Sequence, residues 1–373
     1  MATRRPNLMF VVVVMVVVLE ATTTASPAAD TLMAVQETGH NNHQERDGKF
    51  LSLQFLPFVT VRVRPSECTL NSTNETGTCT STNQCTAQGG KAEGPCGNGY
   101  GVCCSYYTKC GQTVSRNSTF LVNDNYPSAT SAIDNCQYTI EKMNANVCQL
   151  RLDLVTLQLL GPNNMSQCDQ DTFTVVGSGG ANPSVICGVN DGQHMYLDLA
   201  SGTGYARINI ATTTAGFNRS WKIKVTQIPC ASTSRVPPNC LQYYTDYSGT
   251  INSFNYQTAG TGKKLANQLY TACIKTKEGF CGIRYTGQQL HHVTTSYPGA
   301  PVTAAGQCSS DFLIIPTVAK NGTAGVSDRR CGTTFSDLTT FSEPFEIRVV
   351  TNGEDAPTDN NGGFSINYTQ IPC

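Results

Sequence analysis

The sequence contains little charge and no excess of either sign. Charged residues make up 14% of 373 positions, and 25 basic side chains nearly balance 26 acidic ones, for a formal net charge of −1. A nucleic-acid-binding chain would show a basic excess and a solvating chain an acidic one, so both classes are excluded. The length suffices for two or three domains that each bury a core.

Several motifs of metal binding and catalysis are missing. No two cysteines have the C-x-x-C spacing of zinc ribbons, Fe–S proteins and thioredoxin-like enzymes, although the chain has 18 cysteines, an even number. A Walker loop, H-E-x-x-H and the protein-kinase motifs are also absent. The cysteines are therefore predicted to form disulfides in an oxidising compartment.

Candidates for acid–base or nucleophilic catalysis are few. The histidines are His40, His43, His194, His291 and His292. His194 lies in a strand-like run and is predicted to be structural, and the adjacent pair 291–292 would point to opposite faces of a strand, which opposes metal chelation. The run 177–180 weakly resembles a protease nucleophile loop, but a Gly-rich hairpin turn explains it better. We expect no enzymatic activity.

Long apolar runs are absent, apart from a short one near the N-terminus. Arg4 and Arg5 precede an apolar run from Leu8 to Leu19, which is shorter than the roughly 20 residues that a membrane span needs. Small residues follow the run, so residues 1–29 are predicted to be a cleaved signal peptide rather than a signal anchor. We expect no membrane span in the mature chain.

Seven N-x-S/T sequons predict N-glycosylation and agree with secretion. They are Asn71, Asn74, Asn117, Asn164, Asn218, Asn321 and Asn367. Chance alone supplies several sequons in a chain rich in Asn and Thr. The sequons therefore support secretion, and the signal peptide is the main evidence for it. Together these features predict a secreted, soluble glycoprotein.

The cysteines fall into three groups of six, and the second and third groups follow one pattern. The fourth cysteine of each later group opens a C-x-x-D segment, which ends at Asp171 and at Asp311. Both groups close on T-Q-I-P-C, at Cys230 and Cys373. An internal duplication explains this repetition better than chance does.

Within each repeat the apolar residues alternate with polar ones. This alternation covers 148–154 and 221–225 in the first repeat, and 281–285 and 345–349 in the second. Gly, Pro and Asn clusters separate the runs, and no long helical period is present. The pattern predicts an all-β chain built as sandwiches or barrels. We expect a cysteine on the apolar face of such a strand to join one sheet to the other.

Both repeats resemble CUB domains, which are extracellular β-sandwiches. In the first repeat the matching residues are Cys110-Gly111, Asn125-Tyr126-Pro127, Cys136, Cys168-x-x-Asp171, Cys187-Gly188 and the closing strand Trp221 to Val225. In the second they are Cys240, Gly249 to Tyr256, Cys273, Cys308-x-x-Asp311, Cys331-Gly332 and Gly363 to Tyr368. The resemblance implies two antiparallel CUB-type β-sandwich domains in tandem, at 110–230 and 240–373, joined by a linker at 231–239.

The first cysteine group resembles the clip module of arthropod proteins. It has Cys79, Cys85 after five intervening residues, Cys96, and a closing Cys103-Cys104 pair. The resemblance implies a small disulfide-rich module at 67–109, preceded by a linker or N-terminal extension at 30–66. Six cysteines allow 15 connectivities, and their spacing alone does not choose among them.

The two resemblances together imply a disulfide map. The clip pairing gives Cys68–Cys103, Cys79–Cys96 and Cys85–Cys104. The CUB pairing gives Cys110–Cys136, Cys168–Cys187, Cys240–Cys273 and Cys308–Cys331. The cysteines then left at matched positions suggest two further bridges, Cys148–Cys230 and Cys281–Cys373.

The CUB resemblance also raises the question of calcium. Calcium-binding CUB domains bring three acids together, of which only Asp171 and Asp311 are retained here, while Gln158 and roughly Gln289 stand at an earlier acidic position. Calcium needs several oxygen ligands, most of them carboxylate, so any site would be weak. The alternative is that each Asp accepts backbone N–H groups in a turn. We expect no cofactor, with calcium at these two residues as the open alternative.

The function implied by the resemblance is recognition. The resemblance implies a secreted, non-enzymatic protein that binds extracellular proteins or glycans through its CUB domains. Two alternatives stay open: a non-catalytic regulator of an extracellular serine-protease cascade, acting through the clip-like module, and a structural component of extracellular matrix. We expect no nucleic-acid partner.

Overall fold

The fold is described from a computed structural model. It covers residues 62–177, 179–180, 182–200, 204–257, 262–291, 308, 310–325, 327–332, 335–353 and 362–373. The predicted signal peptide, the extension up to residue 61, and His40, His43, Ser178 and His292 lie outside these ranges. In the part of the chain that is covered, no helix has the length and apolar character needed to cross a membrane.

The first six cysteines lie in a small unit of strands around one short helix. Its elements are β1 (Ser66–Thr69), β2 (Thr76–Thr80), α1 (Thr82–Ala87), β3 (Lys91–Cys96), a 3₁₀ turn (Gly97–Gly99) and β4 (Gly101–Thr108). Helix α1 begins after Ser81, whose side-chain oxygen accepts a hydrogen bond from the backbone N–H of Gln84. Three disulfides cross-link the unit: Cys68–Cys103, Cys79–Cys96 and Cys85–Cys104. They stabilise a segment that has few apolar residues of its own.

The first repeat is a sandwich of two sheets. Its strands are β5 (Thr113–Val114), β6 (Thr119–Val122), β7 (Asn135–Glu141), β8 (Val147–Gln158), β9 (Asp171–Val176), β10 (Gln193–Asp198), β11 (Tyr205–Thr212) and β12 (Ser220–Pro229). One sheet has the order β5-β7-β11-β9 and the other contains β6-β12-β8-β10. Leu150, Leu152 and Leu154 of β8 are fully buried, as their alternation with charged residues predicted.

The second repeat is also a two-sheet sandwich. Its strands are β13 (Cys240–Tyr244), β14 (Ser248–Asn252), β15 (Leu269–Ile274), β16 (Phe280–His291), β17 (Phe312–Ile314), β18 (Arg329–Arg330), β19 (Leu338–Thr340), β20 (Phe345–Val350) and β21 (Gly363–Pro372). The sheet orders are β13-β15-β20-β17-β18 and β14-β21-β16-β19. The predicted all-β sandwich class is confirmed.

The two repeats share one strand order. Apart from β18, the order β13-β15-β20-β17 repeats β5-β7-β11-β9, and β14-β21-β16-β19 repeats β6-β12-β8-β10. The correspondence extends to strand direction, because β5 pairs parallel with β7 and β13 pairs parallel with β15. The duplication seen in the cysteine pattern is therefore also present in the fold.

The N-terminal unit continues a sheet of the first repeat. Strand β4 pairs parallel with β6, so β1 to β4 extend that sheet to eight strands. Across this junction Lys222 forms an ion pair with Glu75 at 2.5 Å, and the ring of Tyr107 stacks on Phe120 with centroids 5.4 Å apart. The residues expected as a module at 67–109 thus share a continuous sheet with the next repeat.

Each repeat contains three disulfides. They are Cys110–Cys136, Cys148–Cys230 and Cys168–Cys187 in the first, and Cys240–Cys273, Cys281–Cys373 and Cys308–Cys331 in the second. These are the pairs that the resemblances imply. The expectation that the strand cysteines join the two sheets is wrong for Cys148 and Cys281. Val147 pairs with Pro229 and Phe280 with Pro372, so each bridge fastens the ends of neighbouring strands in one sheet.

Candidate functional site

Asp171 begins β9 and forms a buried ion pair. Its carboxylate accepts hydrogen bonds from Nε and Nη2 of Arg219, at 2.5 and 2.8 Å, and from the backbone N–H of Leu160 at 2.8 Å. The guanidinium also donates to the carbonyl oxygens of Thr214 and Phe217. Both charges are therefore paired and hydrogen-bonded in the interior, which is the condition for burying them.

Asp311 occupies the equivalent position beside β17 in the second repeat. Its carboxylate pairs with the ammonium group of Lys264 and accepts a hydrogen bond from the backbone N–H of Asn352 at 2.7 Å. The side chains of Lys264 and Asp311 are 1% and 0% exposed. A buried cation thus lies against the aspartate in this repeat as well.

The two cations come from different parts of the fold. Arg219 directly precedes the last strand of its repeat, β12. Lys264 lies between β14 and β15, a connection that corresponds to the one between β6 and β7. Duplication of one ancestral ion pair therefore does not explain the arrangement. Sequence reasoning identified both aspartates and missed both cations, because no local pattern marks a partner that is distant in the chain.

The ion pairs bear directly on the calcium alternative. A calcium ion needs several carboxylate oxygens, but those of Asp171 and Asp311 are already held by a guanidinium and an ammonium group. Gln158 is exposed and donates to Asp191 at 2.7 Å, and Gln289 lies in β16. The residues present do not fit a calcium site. Each aspartate also accepts a backbone N–H, but the donors, Leu160 and Asn352, lie outside the turn that follows the cysteine, so the expected local turn does not hold the carboxylates.

One further group of potential ligands is present in the described ranges. One ligand atom each from Cys110, Asp124 and Asp134 lies within 4.8 Å of the others. The sulfur of Cys110 is bonded to Cys136, so the group retains only two exposed carboxylates. Two monodentate acids at the surface do not make a metal site.

A polar network joins the two repeats. The side chain of Gln149 in β8 accepts from the backbone N–H of Val236 at 3.0 Å and donates to its carbonyl at 3.2 Å. The backbone N–H of Asn255 donates to the side chain of Asn190 at 2.8 Å. Val236 is also buried. The segment 231–239, expected as a linker, is therefore held against the first repeat at its middle.

His194 lies at the same interface. Its Nε2 accepts a hydrogen bond from the backbone N–H of Tyr243 at 2.9 Å, and the rings of Tyr196 and Tyr244 pack edge-on against the imidazole. Burial, and to a lesser extent the charge of Arg151, lower the pKa of His194 to about 4. The neutral imidazole bridges the repeats, so the side chain has the structural place that its sequence context predicted.

The run considered as a nucleophile loop directly follows β9. Gly177 has a φ of 86°, and a Cβ atom there would lie 2.6 Å from the carbonyl oxygen of Tyr205. A side chain at this position would clash with the neighbouring strand, so glycine is required. This geometry agrees with the Gly-rich turn.

The sequon asparagines differ in their accessibility. Exposed positions are Asn71, Asn74, Asn164, Asn218 and Asn321. Asn117 and Asn367 are half-buried, and their side-chain oxygens accept hydrogen bonds from the N–H of Gln227 and the hydroxyl of Thr250, both at 2.7 Å. A glycan at the first five positions would extend directly into solvent.

Comparison with known families identifies the second repeat. Residues 237–371 match the family model of the animal CUB domain. These limits enclose strands β13 to β20 and nearly all of β21. The chain therefore contains a CUB domain, which confirms the resemblance over this repeat.

Several solved structures are similar to this chain at low sequence identity. The CUB1-EGF-CUB2 domains of rat MASP-1 are 12% identical, with 71% of this chain and 99% of that chain covered and a TM-score of 0.25. The CUB1-EGF-CUB2 domain of human MASP-1/3 is 12% identical, with coverages of 68% and 98% and a TM-score of 0.25. The full extracellular region of zebrafish Gpr126/Adgrg6 is 8% identical, with coverages of 70% and 36% and a TM-score of 0.28. No curated protein is similar in sequence. TM-scores this low do not establish a shared arrangement of domains.

Proposed function

We propose that this chain is a secreted, non-enzymatic recognition protein that binds other extracellular proteins through two CUB domains, at 110–230 and 240–373. The observation that carries the proposal is the shared strand order of the two repeats. The second repeat matches the animal CUB domain, and the first has corresponding strands and disulfides at corresponding places. The simplest account is that both are CUB domains.

The disulfides support an extracellular location. All cysteines are paired, which requires an oxidising compartment during folding. The predicted signal peptide at 1–29 and the five exposed sequons agree with passage through the secretory pathway.

The state of the buried polar groups supports a binding role rather than catalysis. Asp171 and Asp311 are held in ion pairs, and the acceptor nitrogen of His194 is used by a backbone N–H. A general base needs a free lone pair near the substrate, and a nucleophile needs such a base beside it. The groups best suited to that chemistry are therefore already occupied by structural contacts.

The N-terminal unit favours one alternative, a regulator of a serine-protease cascade. Its disulfides join the first cysteine to the fifth, the second to the fourth and the third to the sixth. This is the pairing implied by the clip resemblance. The unit would then present its own binding surface at the end of the eight-stranded sheet.

The test uses the full chain secreted from a eukaryotic cell. The purified protein is immobilised in its native form and, as a matched control, after reduction and alkylation. Extracellular fluid of the source animal is passed over both, and bound proteins are cross-linked and identified by mass spectrometry. We expect saturable retention of a defined protein by the native form alone. Equal retention by both forms, or turnover of a substrate by the native form, would contradict the proposal.

The identity of the retained protein separates the alternatives. Recovery of cascade proteases through the N-terminal unit would favour the regulator. Recovery of matrix polymers would favour a structural component.

A further inference from the structure

We infer that the cleft between the two repeats binds an extended peptide segment in which an acidic residue stands beside an apolar one. The inference rests on the proposed protein-binding function and names the surface and the chemistry of the partner. Neither aspartate of the buried ion pairs takes part in it.

The cleft is a cavity of about 380 Å³ with one wall from each repeat. The first repeat contributes Tyr196 and Asp198 of β10, and the second contributes Cys240, Leu269 and Arg348. Ligand sites of this size are common where two domains meet. The cavity is large enough for one or two side chains of a peptide, and it is open to solvent along one side.

The walls of the cleft are fixed before a ligand arrives. Gln149 donates to the carboxylate of Asp198 at 3.0 Å and, through the same side-chain nitrogen, to the carbonyl of Val236. On the other wall, Cys240 is bonded to Cys273 of the adjacent strand. Pre-organisation of this kind lowers the entropy lost on binding. A peptide would therefore meet a formed site.

An unpaired apolar side chain stands at the rim. Leu269, at the start of β15, is 68% exposed, more than any other large hydrophobic side chain in the described ranges. Its cross-strand neighbour is Val350, which in turn lies opposite Phe312 on the outer face of the same sheet. Along this apolar stripe Val350 is half-buried and Phe312 is buried, so Leu269 is its exposed end and the apolar side chain that a ligand in the cleft can contact.

Arginine side chains border this stripe. Arg348 is 51% exposed at its side chain, and its ionic partner among the described residues is Glu346 on the same strand, at 3.5 Å. The guanidinium of Arg329 stacks on the ring of Phe312 at 4.2 Å. Exposed pairs such as Arg348 with Glu346 are weak, so the guanidinium can exchange partners at little cost. Its planar donors match a carboxylate in two-point geometry.

The opposite wall provides a hydrogen-bond acceptor for the main chain of a peptide. Asp198 has only acceptor oxygens, so it suits the backbone N–H groups of a peptide and repels a second carboxylate. A carboxylate side chain would therefore point to Arg348, with the neighbouring apolar side chain against Leu269. A peptide with an acidic residue next to an apolar one can therefore contact Asp198, Arg348 and Leu269 at the same time.

The test starts from a random peptide library displayed on phage and selected on the immobilised full-length chain. We expect enrichment of peptides with Asp or Glu next to Leu, Ile or Phe. For a synthetic peptide of the enriched sequence, Arg348→Glu should weaken binding at least tenfold and Leu269→Ser at least fivefold. Replacing the acidic residue of the peptide by Lys should restore binding to Arg348→Glu.

Matched control variants carry the same changes on other surfaces. Arg207→Glu reverses an exposed arginine on β11, and Ile133→Ser truncates an aliphatic side chain that is 60% exposed. Both should leave the dissociation constant within twofold of the wild-type value. Equal losses in the controls, or enrichment of basic or uncharged peptides, would overturn the inference. If the extracellular partner binds Arg348→Glu as well as wild type, the cleft is excluded while the proposed function stands.

Discussion

The guanidinium of Arg219 forms a two-point ion pair with the carboxylate of Asp171, and both side chains are fully buried. Lys264 and Asp311 form the counterpart in the second repeat. The carboxylate position is the same in both sandwiches, whereas the cation comes from a different segment in each. Each aspartate is therefore held in the interior of its sandwich as part of a neutral pair.

Asp171→Asn is predicted to destabilise the first repeat strongly. The change leaves the Arg219 guanidinium buried without a counter-charge, which costs about 3–5 kcal/mol in the free energy of unfolding. Urea unfolding at pH 7 measures this loss. Asp153→Asn is the control, because its pair with Arg151 is partly exposed and contributes less than about 1 kcal/mol. Equal losses in the two variants would contradict the structural role of the buried pair.

His194 is predicted to make stability fall in acid. Its pKa is about 4 in the folded chain, against 6.5 for the free side chain. Above pH 6.5 the imidazole is neutral in both states and contributes no pH dependence. As the pH falls from 6.5 towards 4, the unfolded chain binds a proton that the folded chain does not. The free energy of unfolding therefore decreases by roughly 2–3 kcal/mol from this residue.

The measurement for His194 is urea unfolding at pH 7.5 and pH 4.5, in the wild type and in His194→Gln. Glutamine keeps a side-chain acceptor for the N–H of Tyr243 and does not titrate. In the variant, the free energy of unfolding should change between pH 7.5 and pH 4.5 by roughly 2–3 kcal/mol less than in the wild type. An unchanged difference would show that His194 is not held neutral at the interface.

The fold was more predictable from sequence than the site was. Alternation is a local signal, so the runs at 148–154 and 281–285 identified β8 and β16. The partner of Asp171 lies 48 residues away, and no short-range pattern marks Arg219 as that partner. Alternation predicts which face of the sheet a side chain lies on, but it does not predict which residue of the adjacent strand lies beside it. The expectation that a strand cysteine joins the two sheets is therefore wrong for Cys148. The register of β8 against β12 places Cys148 beside Cys230, so the bridge stays within one sheet.

The disulfide map predicts a specific set of cross-linked peptides. Digestion without reduction should release peptides that join Cys148 to Cys230 and Cys281 to Cys373, with no free thiol. Mass spectrometry identifies these peptides directly. A peptide that joins Cys148 to a cysteine of 67–109 would contradict both the map and the proposed domain boundaries.

Removing the long-range bridge should cost more than removing a short one. Cys148 and Cys230 are 82 positions apart, and Cys168 and Cys187 are 19 apart. Under the chain-entropy model these loops contribute about 4–5 and about 3 kcal/mol respectively. The paired alanine variants should therefore differ by about 1 kcal/mol in urea unfolding. A larger loss for the short loop would show that native-state contacts, and not loop length, dominate.

Processing of the N-terminus is predicted to release a chain that begins between about residues 22 and 30. N-terminal sequencing of protein collected from culture medium gives the cleavage point. Secreted protein that retains Met1, or a membrane-bound form that does so, would contradict the signal peptide.

Buried cations neutralise Asp171 and Asp311, and a calcium titration tests this most directly. Melting temperature is measured in 1 mM calcium and in a chelator. A site with a dissociation constant of about 10 μM would add roughly 2.7 kcal/mol at that concentration, which a thermal melt detects readily. We predict no shift. A clear calcium-dependent rise that Asp171→Ala or Asp311→Ala abolishes would show that these carboxylates bind calcium instead of being neutralised by Arg219 and Lys264.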